Sequence, residues 1–260
     1  MCLINFHFHN HPHYKLILVA NRDEEYSRPT ANAEFWDDYS FILAGRDLKQ
    51  MGTWLGITKN GRFAALTNFR DPGLPKSGRF SRGDIVRQFL AEDVEPHIFI
   101  EKLAKNRTLY DGYNVLVGNS NQLFHYNNIL DEINEITAGT HSLSNHTLDT
   151  PWPKVIKGKK ILGDYVKNHS TNIQIHSLFN IVADRTIAED EALPNTGVGL
   201  EMERWLSPLF IKMPNYGTRS STVVLIDKKD NVTFAERVFL EGELQQENQF
   251  TFKIEEKSMI

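Results

Sequence analysis

A cysteine directly follows the initiator methionine, and it is the only cysteine in the 260-residue chain. Removal of the methionine would make Cys2 the N-terminal residue, so that a thiol and an α-amine would belong to one residue. The amine, with an ordinary pKa of about 8, suits the role of base for the thiol at neutral pH, directly or through a water. Cys2 is therefore a candidate nucleophile. An axial-ligand role, or no role beyond following the start codon, are the alternatives.

A compact charged tetrad, Asn21-Arg22-Asp23-Glu24, follows the apolar run LILVA. A buried strand should not end in three charged residues unless these have partners. Two interpretations remain open at this point. The tetrad is either a solvated strand end with a local arginine–carboxylate pair, or a polar cluster that surrounds the amine and thiol of Cys2.

The strand pattern predicts that the tetrad lies beside Cys2. Residues 2–9 alternate, with Cys2, Ile4, Phe6 and Phe8 on one face, as expected of a strand. Residues 14–21 form a second and more uniformly apolar strand, and residues 10–13 resemble a turn. Because a long hairpin returns its last residues to its first, topology alone brings residues 21–24 near Cys2.

Four histidines occur at every second position near the N-terminus, namely His7, His9, His11 and His13. Two histidines at such spacing on a strand can bind a metal ion, but no second cluster has a recognisable ligand spacing. The favoured interpretation is a solvated strand edge, and no metal site is predicted.

Further strands are predicted in hairpins, and helices in blocks. Strands are predicted at 53–58, 62–68, 113–119, 122–127, 220–226, 232–239 and 249–255. Helices are predicted from an N-cap at Ser81 to residue 91, at 96–105, 151–168, 174–182 and 200–206, whereas residues 136–145 are small and polar without an assigned element. The absence of strand–helix–strand alternation indicates an α+β class with mostly antiparallel sheet. Residues 1–260 contain no repeat and no long linker, so one domain is predicted.

Composition narrows the classes of partner. A net charge of −4 supplies no basic excess for nucleic acid, and one cysteine cannot form an intramolecular disulfide. LILVA is too short to span a membrane and the N-terminus lacks a signal-peptide pattern, so a cytoplasmic location is expected. The expected partner is a small-molecule substrate or ligand, bound by walls from the irregular segments 27–52, 71–80 and 184–200. The oligomeric state is not predicted.

Several short motifs, in order along nearly the whole chain, resemble the NRDE family, also called the family of transport and Golgi organization protein 2 homologues. The motifs are Cys2, Asn21-Arg22-Asp23-Glu24, Trp54-Leu55-Gly56, Leu66-Thr67-Asn68-Phe69-Arg70, Ser81-Arg82-Gly83, Leu143-Ser144-Asn145, Pro151-Trp152-Pro153-Lys154 and Tyr216-Gly217-Thr218-Arg219-Ser220. This family resembles the N-terminal-nucleophile hydrolases, above all the cysteine amidases that cleave bile-salt conjugates and penicillin V. The resemblance implies a four-layer αββα sandwich.

The resemblance also implies roles for site residues. Cys2 would attack an amide or thioester carbonyl, Asp23 would hold its amine, and Arg22 or Arg219 would lower the thiol pKa. Asn68 would stabilise the oxyanion and Asn145 would orient the amine or the substrate. In the amidases the arginine precedes the aspartate by about three residues, so Asn21 competes with Arg22 for that position.

The resemblance leaves a competing function. Members of the family have been linked to intracellular haem trafficking and, more loosely, to lipid or acyl-CoA handling. A cleft lined by Phe6, Phe8, Trp54 and Trp152 would then hold a flat apolar cofactor, with Cys2 or a histidine as axial ligand. Phe6, Trp54, Trp152 and Asn21 are the expected ligand-binding residues in either case. The hydrolase needs no cofactor, whereas the alternative would bind haem.

Overall fold

The computed structural model describes residues 2–75 and 78–255. Its strands are β1 Cys2–Phe8, β2 Tyr14–Glu25, β3 Thr30–Phe35, β4 Ile42–Asp47, β5 Leu55–Thr58, β6 Phe63–Asn68, β7 Tyr113–Gly118, β8 Leu123–Asn127, β9 Glu132–Glu135, β10 Gly139–Leu143, β11 Tyr216–Asp227, β12 Asn231–Leu240 and β13 Glu243–Lys253. Its α-helices are α1 Arg82–Ala91, α2 Pro96–Lys105, α3 Pro153–Asn168, α4 Ile175–Ile181 and α5 Leu200–Leu206.

These strands form two antiparallel sheets. Within the described ranges, the first sheet has six strands in the order β10-β1-β2-β11-β12-β13. The second sheet contains β3 to β9 in sequential order. In the second sheet every strand pairs with the next one in the chain, and α1 and α2 lie in the connection between β6 and β7. The first sheet joins the two ends of the chain through the pairing of β2 with β11.

Apolar side chains fill three interfaces between four layers. One cluster lies between the two sheets and includes Ile4, Phe6 and Leu18. A second cluster packs α1 and α2 against the outer face of the second sheet. A third packs α3 and α4 against the outer face of the first sheet. The predicted αββα sandwich with mostly antiparallel sheets is therefore confirmed.

The N-terminal hairpin is confirmed, and both of its faces are buried. Leu3, Asn5 and His7 lie on the face that the sequence pattern assigns to the polar side, yet each is no more than 6% exposed. The reason is that α3 covers this face. At Gly158 the helix approaches so closely that an added Cβ would lie 2.3 Å from Asn5 Oδ1.

The predicted helices are confirmed with small shifts at their ends. Helix α3 begins at Pro153 rather than at Pro151, because Trp152 is extended, with φ −74° and ψ 149°. A residue before proline is disfavoured in the helical region, so Pro153 rather than Pro151 determines where the helix begins.

Four strands of the structure have no counterpart in the prediction, namely β3, β4, β9 and β10. Strand β10 lies within the small, polar segment 136–145 and pairs with β1, with Leu143 opposite Ile4. Gly139, Thr140 and Ser142 of this strand give no strong strand signal. The strand is stabilised by pairing with β1 and not by the intrinsic strand propensity of its residues.

Candidate active site

Cys2 is the first residue of β1 and lies opposite Arg22 of β2 in the antiparallel register. Directly paired residues present their side chains to the same face of a sheet, so the thiol and the guanidinium share the face that looks toward the second sheet. Burial raises the pKa of the Cys2 thiol, and Asp23 raises it further. Arg22 and a hydrogen bond from the Asp23 N–H lower it. The predicted proximity of Cys2 to the tetrad is confirmed.

Arg22 is a cation beside the thiol, and its side chain is buried, with 5% of its surface exposed. Its guanidinium lies 4.2 Å from the centroid of the Trp54 ring. Its Nη2 is 3.7 Å from Glu24 Oε2, and its Nη1 donates a 3.4 Å hydrogen bond to Thr30 Oγ1. Burial lowers the pKa of Arg22, but a guanidinium titrates so far above neutrality that it stays charged. Trp54 and Glu24 thus hold a permanent positive charge near Cys2.

Asp23 is buried and held by hydroxyl groups of β11. Its Oδ1 accepts a 2.8 Å hydrogen bond from Thr218 Oγ1, and its carbonyl oxygen accepts one of 2.9 Å from the Tyr216 hydroxyl. Burial raises the pKa of the Asp23 carboxyl, whereas Lys154, the Thr218 bond and Arg22 lower it. The carboxylate is therefore fixed in place next to the start of β1.

Asn21 lies on the opposite face of β2 from Arg22. Its Nδ2 donates to the carbonyl oxygens of Val182 and Leu209, at 2.9 and 2.8 Å, and its Oδ1 accepts from Ser221 Oγ at 2.6 Å. These bonds join β2 to the outer helical layer. Asn21 and Arg22 are the two candidates for the position that the arginine holds in the related amidases. Of these two, Arg22 is the one beside the thiol.

Asn145 and Asn68 link β6 to the chain after β10. Asn145 Nδ2 donates a 2.9 Å hydrogen bond to the Asn68 carbonyl oxygen, and the Asn145 carbonyl oxygen accepts one of 2.7 Å from the Arg70 N–H. Ser144 Oγ lies 3.1 Å from both Asn145 Oδ1 and the Cys2 carbonyl oxygen. Asn145 and Ser144 together therefore connect β6 with the start of β1. The Asn68 side chain lines the cavities described below.

Arg219 binds the backbone at the end of β2 and just beyond it. Its Nη1 donates to the carbonyl oxygens of Glu25, Tyr26 and Arg28, at distances of 2.9 to 3.1 Å. These three bonds hold the turn that follows β2. Arg219 therefore supports the loop between β2 and β3.

The aromatic residues expected around one cleft lie in three different places. Phe6 is 0% exposed in the core between the sheets, because it is four residues further along β1 than Cys2, where the second sheet covers it. Trp152 packs on the outer face of the first sheet with Leu3, and Arg70 lies 4.7 Å from its ring centroid. Only Trp54 of these three lines the cavity at Cys2 in the described chain.

Cys2 opens into a cavity of about 370 Å³, here called the arginine cleft. Segment 27–52 contributes to its wall, as predicted, and so do residues 78–80 of segment 71–80, of which residues 76 and 77 lie outside the described residues. No residue of 184–200 is among its described lining. The lining residues are Cys2, Arg22, Asp23, Glu24, Arg28, Asp47, Gln50, Thr53, Trp54, Leu66, Asn68, Gly78, Arg79, Phe80, Ser81, Arg82, Gly83 and Asp111.

The arginine cleft is lined by four arginines and by four carboxylates. The arginines are Arg22, Arg28, Arg79 and Arg82, and the carboxylates are those of Asp23, Glu24, Asp47 and Asp111. Arg28 is neutralised by Asp47 through bonds of 3.1 and 2.6 Å. Arg79 and Arg82 come from the segment that enters α1, and Arg82 donates a 3.0 Å bond to the Gly112 carbonyl. The N-terminus of α1, which starts at Arg82, adds a positive partial charge. The signal for Arg82 was its place in the Ser81-Arg82-Gly83 motif.

A second cavity of about 450 Å³ adjoins the first and is here called the methionine cavity. It shares Glu24 and Asn68 with the arginine cleft, and its wall is more apolar. Its lining residues are Glu24, Glu25, Ser27, Asn68, Met202, Leu206, Met213, Asn215 and Tyr216. Asn68 thus stands where the two cavities meet, near Cys2.

Three of the four N-terminal histidines bond to other protein groups through their rings. His7 Nδ1 lies 2.7 Å from Thr140 Oγ1, His9 Nε2 lies 2.7 Å from the Ser120 carbonyl, and His11 Nε2 lies 3.2 Å from the His169 carbonyl. Across residues 2–75 and 78–255, no group of three His, Cys, Asp or Glu residues is arranged to hold a metal ion. None of the helices in those ranges combines the length and the apolar run that a membrane crossing needs.

The architecture and the position of Cys2 define an N-terminal-nucleophile hydrolase-like fold. The C2A mutant of the conjugated bile acid hydrolase from Clostridium perfringens superimposes with a TM-score of 0.57 at 10% identity, covering 96% of this chain and 92% of that chain. The R18L variant of the conjugated bile acid hydrolase from the same organism gives a TM-score of 0.54 at 10% identity, covering 100% of this chain and 99% of that one. This likeness shows a shared fold.

The chain belongs to the Transport and Golgi organisation 2 family, whose model matches residues 1–241. It is 35% identical to the human transport and Golgi organization protein 2 homolog, covering 94% of this chain and 95% of that protein. It is 28% identical to transport and Golgi organization protein 2 of Drosophila melanogaster, covering 91% of each. The predicted family is therefore confirmed.

Proposed function

We propose that this protein is an N-terminal-nucleophile hydrolase that cleaves a small amide or an acyl thioester through Cys2. The observation that carries the proposal is the position of the thiol, which opens into the arginine cleft between Arg22 and Asp23 at the start of β1. A cysteine likewise stands at position 2 of the conjugated bile acid hydrolase, which was crystallised as its C2A mutant.

The first step transfers the thiol proton of Cys2 to its own α-amine, which becomes free when the initiator methionine is removed. The thiolate then attacks the substrate carbonyl carbon, forming a C–S bond while the carbonyl π electrons move to oxygen. The charge of Arg22 favours the thiolate, and the buried Asp23 carboxylate orients the protonated amine. In this role Asp23 is a positioning group and keeps its charge.

Collapse of the tetrahedral intermediate breaks the bond from carbon to the leaving nitrogen or sulfur, and the α-ammonium returns its proton to that atom. Water then attacks the Cys2 thioester, which releases a carboxylic acid and restores the thiol. Asn68, at the junction of the two cavities, would donate a hydrogen bond to the oxyanion. Such a donor contributes roughly 3–4 kcal/mol in enzymes where its removal has been measured.

The two cavities suggest the shape of the substrate. An acyl group would lie against Met202, Leu206 and Met213 in the methionine cavity, with its carbonyl near Asn68. The leaving group would enter the arginine cleft, where Arg79, Arg82 and the N-terminus of α1 favour a carboxylate, sulfonate or phosphate.

Haem carriage is the second function that the sequence analysis leaves open. Among the described residues that line the arginine cleft, Cys2 is the one thiol or imidazole group, and eight of the eighteen lining residues are charged. A flat apolar macrocycle fits such a wall poorly. No specific contact therefore favours haem over a substrate with an acyl chain and an anionic end.

A matched substrate panel tests the proposal. The purified protein is incubated with N-acyl glycine, N-acyl taurine, a neutral N-acyl amide of equal chain length and an acyl thioester, and the free acid is measured. Hydrolysis that favours the anionic leaving groups and disappears in Cys2→Ala supports the proposal. Equal rates in Cys2→Ala and the unmodified protein, or turnover of none of the probes, would contradict it.

A further inference from the structure

A small buried cavity of about 10 Å³ lies between the first turn of α3 and α5, and it is here called the Lys154 cavity. Its volume is about the room that one water-sized particle needs. It shares Leu206 with the methionine cavity and shares no described residue with the arginine cleft. The lining residues are Arg70, Trp152, Pro153, Lys154, Pro194, Glu203, Leu206 and Ser207.

The start of α3 explains why Lys154 is buried. Its sequence neighbour Val155 and the nearby Trp152 pack with Leu3 and Leu209 on the outer face of the first sheet. This packing fixes the first turn of α3, so the Lys154 side chain is enclosed between that turn and α5.

Two cations in the wall of the Lys154 cavity have buried donor nitrogens without an acceptor. Lys154 is 2% exposed, and its Nζ makes no hydrogen bond to any described residue. Arg70 is 9% exposed, and its Nε and Nη2 are buried without a hydrogen-bond partner in the same part of the chain. Removing an ammonium or a guanidinium from water without such a partner is costly. Because both residues line one cavity, an acceptor inside it would serve both.

The side-chain acceptors in the described wall, Glu203 and Ser207, already have other donors. Glu203 Oε2 accepts a 2.7 Å hydrogen bond from Arg70 Nη1. Glu203 Oε1 accepts from the N–H of Thr196, at 2.9 Å, and from its hydroxyl. Ser207 Oγ accepts a 3.0 Å hydrogen bond from the Ala188 N–H. The wall therefore holds more buried donors than its side-chain oxygens satisfy.

The charges in the wall of the Lys154 cavity do not cancel. Lys154 and Arg70 bring two positive charges, and Glu203 brings one negative charge. Burial and, after it, the charge of Arg70 lower the pKa of Lys154 to about 8, so the ammonium is the main form at pH 7. The Trp152 ring, whose centroid lies 4.7 Å from the Arg70 guanidinium, is attractive to a cation but carries no net charge.

A water molecule and a small anion differ in how they would serve this cavity. A water molecule accepts two hydrogen bonds, brings two donors of its own and leaves the excess charge in place. A monovalent anion accepts from several donors at once, brings none and cancels the excess. Hydrogen bonds to a charged acceptor are also stronger than those to a neutral one. The wall therefore favours an anion.

We propose that the Lys154 cavity binds one small monovalent anion of the halide class between Lys154 and Arg70, and that this anion stabilises the fold. The ion would accept hydrogen bonds from Lys154 Nζ and from the unpaired nitrogens of Arg70. Since Arg70 is paired with Glu203 of α5, a bound ion would join α3 to α5 behind the methionine cavity. The proposal does not rest on the hydrolase function, because it concerns no residue that the reaction uses.

Urea unfolding at pH 7 tests the site, with chloride as the probe. Sodium chloride is raised from about 1 to about 300 mM while sodium gluconate, whose anion is too large for the cavity, keeps the ionic strength and the screening constant. Above the dissociation constant of chloride, the unfolding equilibrium constant should fall about tenfold for each tenfold rise in chloride.

Two lysine variants of α3 separate this site from a general salt effect. Lys154→Met should abolish the chloride dependence, whereas Lys167→Met, which removes the same charge at an exposed position of the helix, should retain it. An unmodified protein whose unfolding does not depend on chloride would overturn the proposal. So would an equal chloride dependence in Lys154→Met and the unmodified protein.

Crystals of the unmodified protein soaked in sodium bromide keep the inference testable if Lys154→Met does not fold. Bromide replaces chloride and is located by its anomalous scattering, and we expect a peak within hydrogen-bond reach of Lys154 Nζ and an Arg70 nitrogen. Bromide peaks that lie only elsewhere would refute the site. A peak in the cavity without any effect of chloride on unfolding would mean an adventitious ion only, and would overturn the proposal as well.

Discussion

Glu236 of β12 makes the stability of the fold depend on pH. Its side chain is 1% exposed, and its Oε2 accepts a 2.7 Å hydrogen bond from the Ala33 N–H of β3, which joins the two sheets. Burial raises the pKa of its carboxyl from 4.5 to about 7. Arg22 and the Ala33 bond oppose that rise but do not cancel it.

The sign of the effect follows from proton linkage. The folded-state pKa lies above that of the unfolded chain, so the unfolded carboxyl ionises first as the pH rises. The stability that Glu236 contributes is complete below about pH 4.5 and is lost progressively until about pH 7. At about 1.4 kcal/mol per pKa unit, the total loss is roughly 3 kcal/mol.

Urea unfolding from pH 5 to pH 8.5 measures this loss in Glu236→Gln. Glutamine keeps an oxygen for the Ala33 N–H and carries no charge, so the stability of the variant relative to the unmodified protein should grow by about 2.5 kcal/mol across that range. Glu132→Gln, at an exposed position of β9, is the matched control and should show no such growth. A constant difference between Glu236→Gln and the unmodified protein would refute the reasoning.

Two further predictions concern the hairpin. Arg22→Gln should slow iodoacetamide alkylation of Cys2 at pH 7 by roughly tenfold, because the cation that favours the thiolate is lost. The control is Arg46→Gln, which removes a guanidinium that also lies 4.2 Å from a tryptophan ring centroid, that of Trp36, and it should leave the alkylation rate unchanged. Equal slowing in both variants would contradict the role of Arg22. Asn21→Ala should lower the free energy of unfolding by about 2–4 kcal/mol, because it leaves buried carbonyl groups without donors. Exposed Asn121→Ala should change the unfolding free energy little, and a similar small change for Asn21→Ala in urea titrations would contradict the structural role of Asn21.

Where the sequence pattern is periodic, it predicts the fold well. The alternation in β1 and the apolar run of β2 predict the hairpin and its return to Cys2, and the register Cys2 to Arg22 confirms it. The Asn60-Gly61 pair predicts the turn between β5 and β6, where Gly61 has φ +79°. These signals are local, so they can be recognised without knowledge of the rest of the chain.

What the sequence does not reveal depends on contacts between distant segments. Strand β10 is recognisable only through its pairing with β1, since its own residues are small and polar. Phe6 shares the face of Cys2, and only the position of the second sheet decides that it is covered while Cys2 is not. Lys154 reads as an ordinary surface lysine until α3 is placed over Leu3.

The proposed site contains residues that the sequence predicts and residues that it does not. Arg22 and Asp23 follow from the tetrad and the hairpin, whereas Arg79 and Arg82 reach the cleft through the entry to α1. No periodic pattern connects that segment with β1, because the contact joins different layers of the sandwich. The Ser81-Arg82-Gly83 motif identifies this segment as notable but does not indicate that it lines the arginine cleft.

The intact mass of the protein, quenched in acid during incubation with an acyl thioester probe, tests the central claim most directly. We predict a chain that has lost its initiator methionine and gained one acyl group on Cys2, with no such gain in Cys2→Ala. A chain that retains the methionine and gains no acyl group at any time point would contradict N-terminal-nucleophile catalysis by this protein.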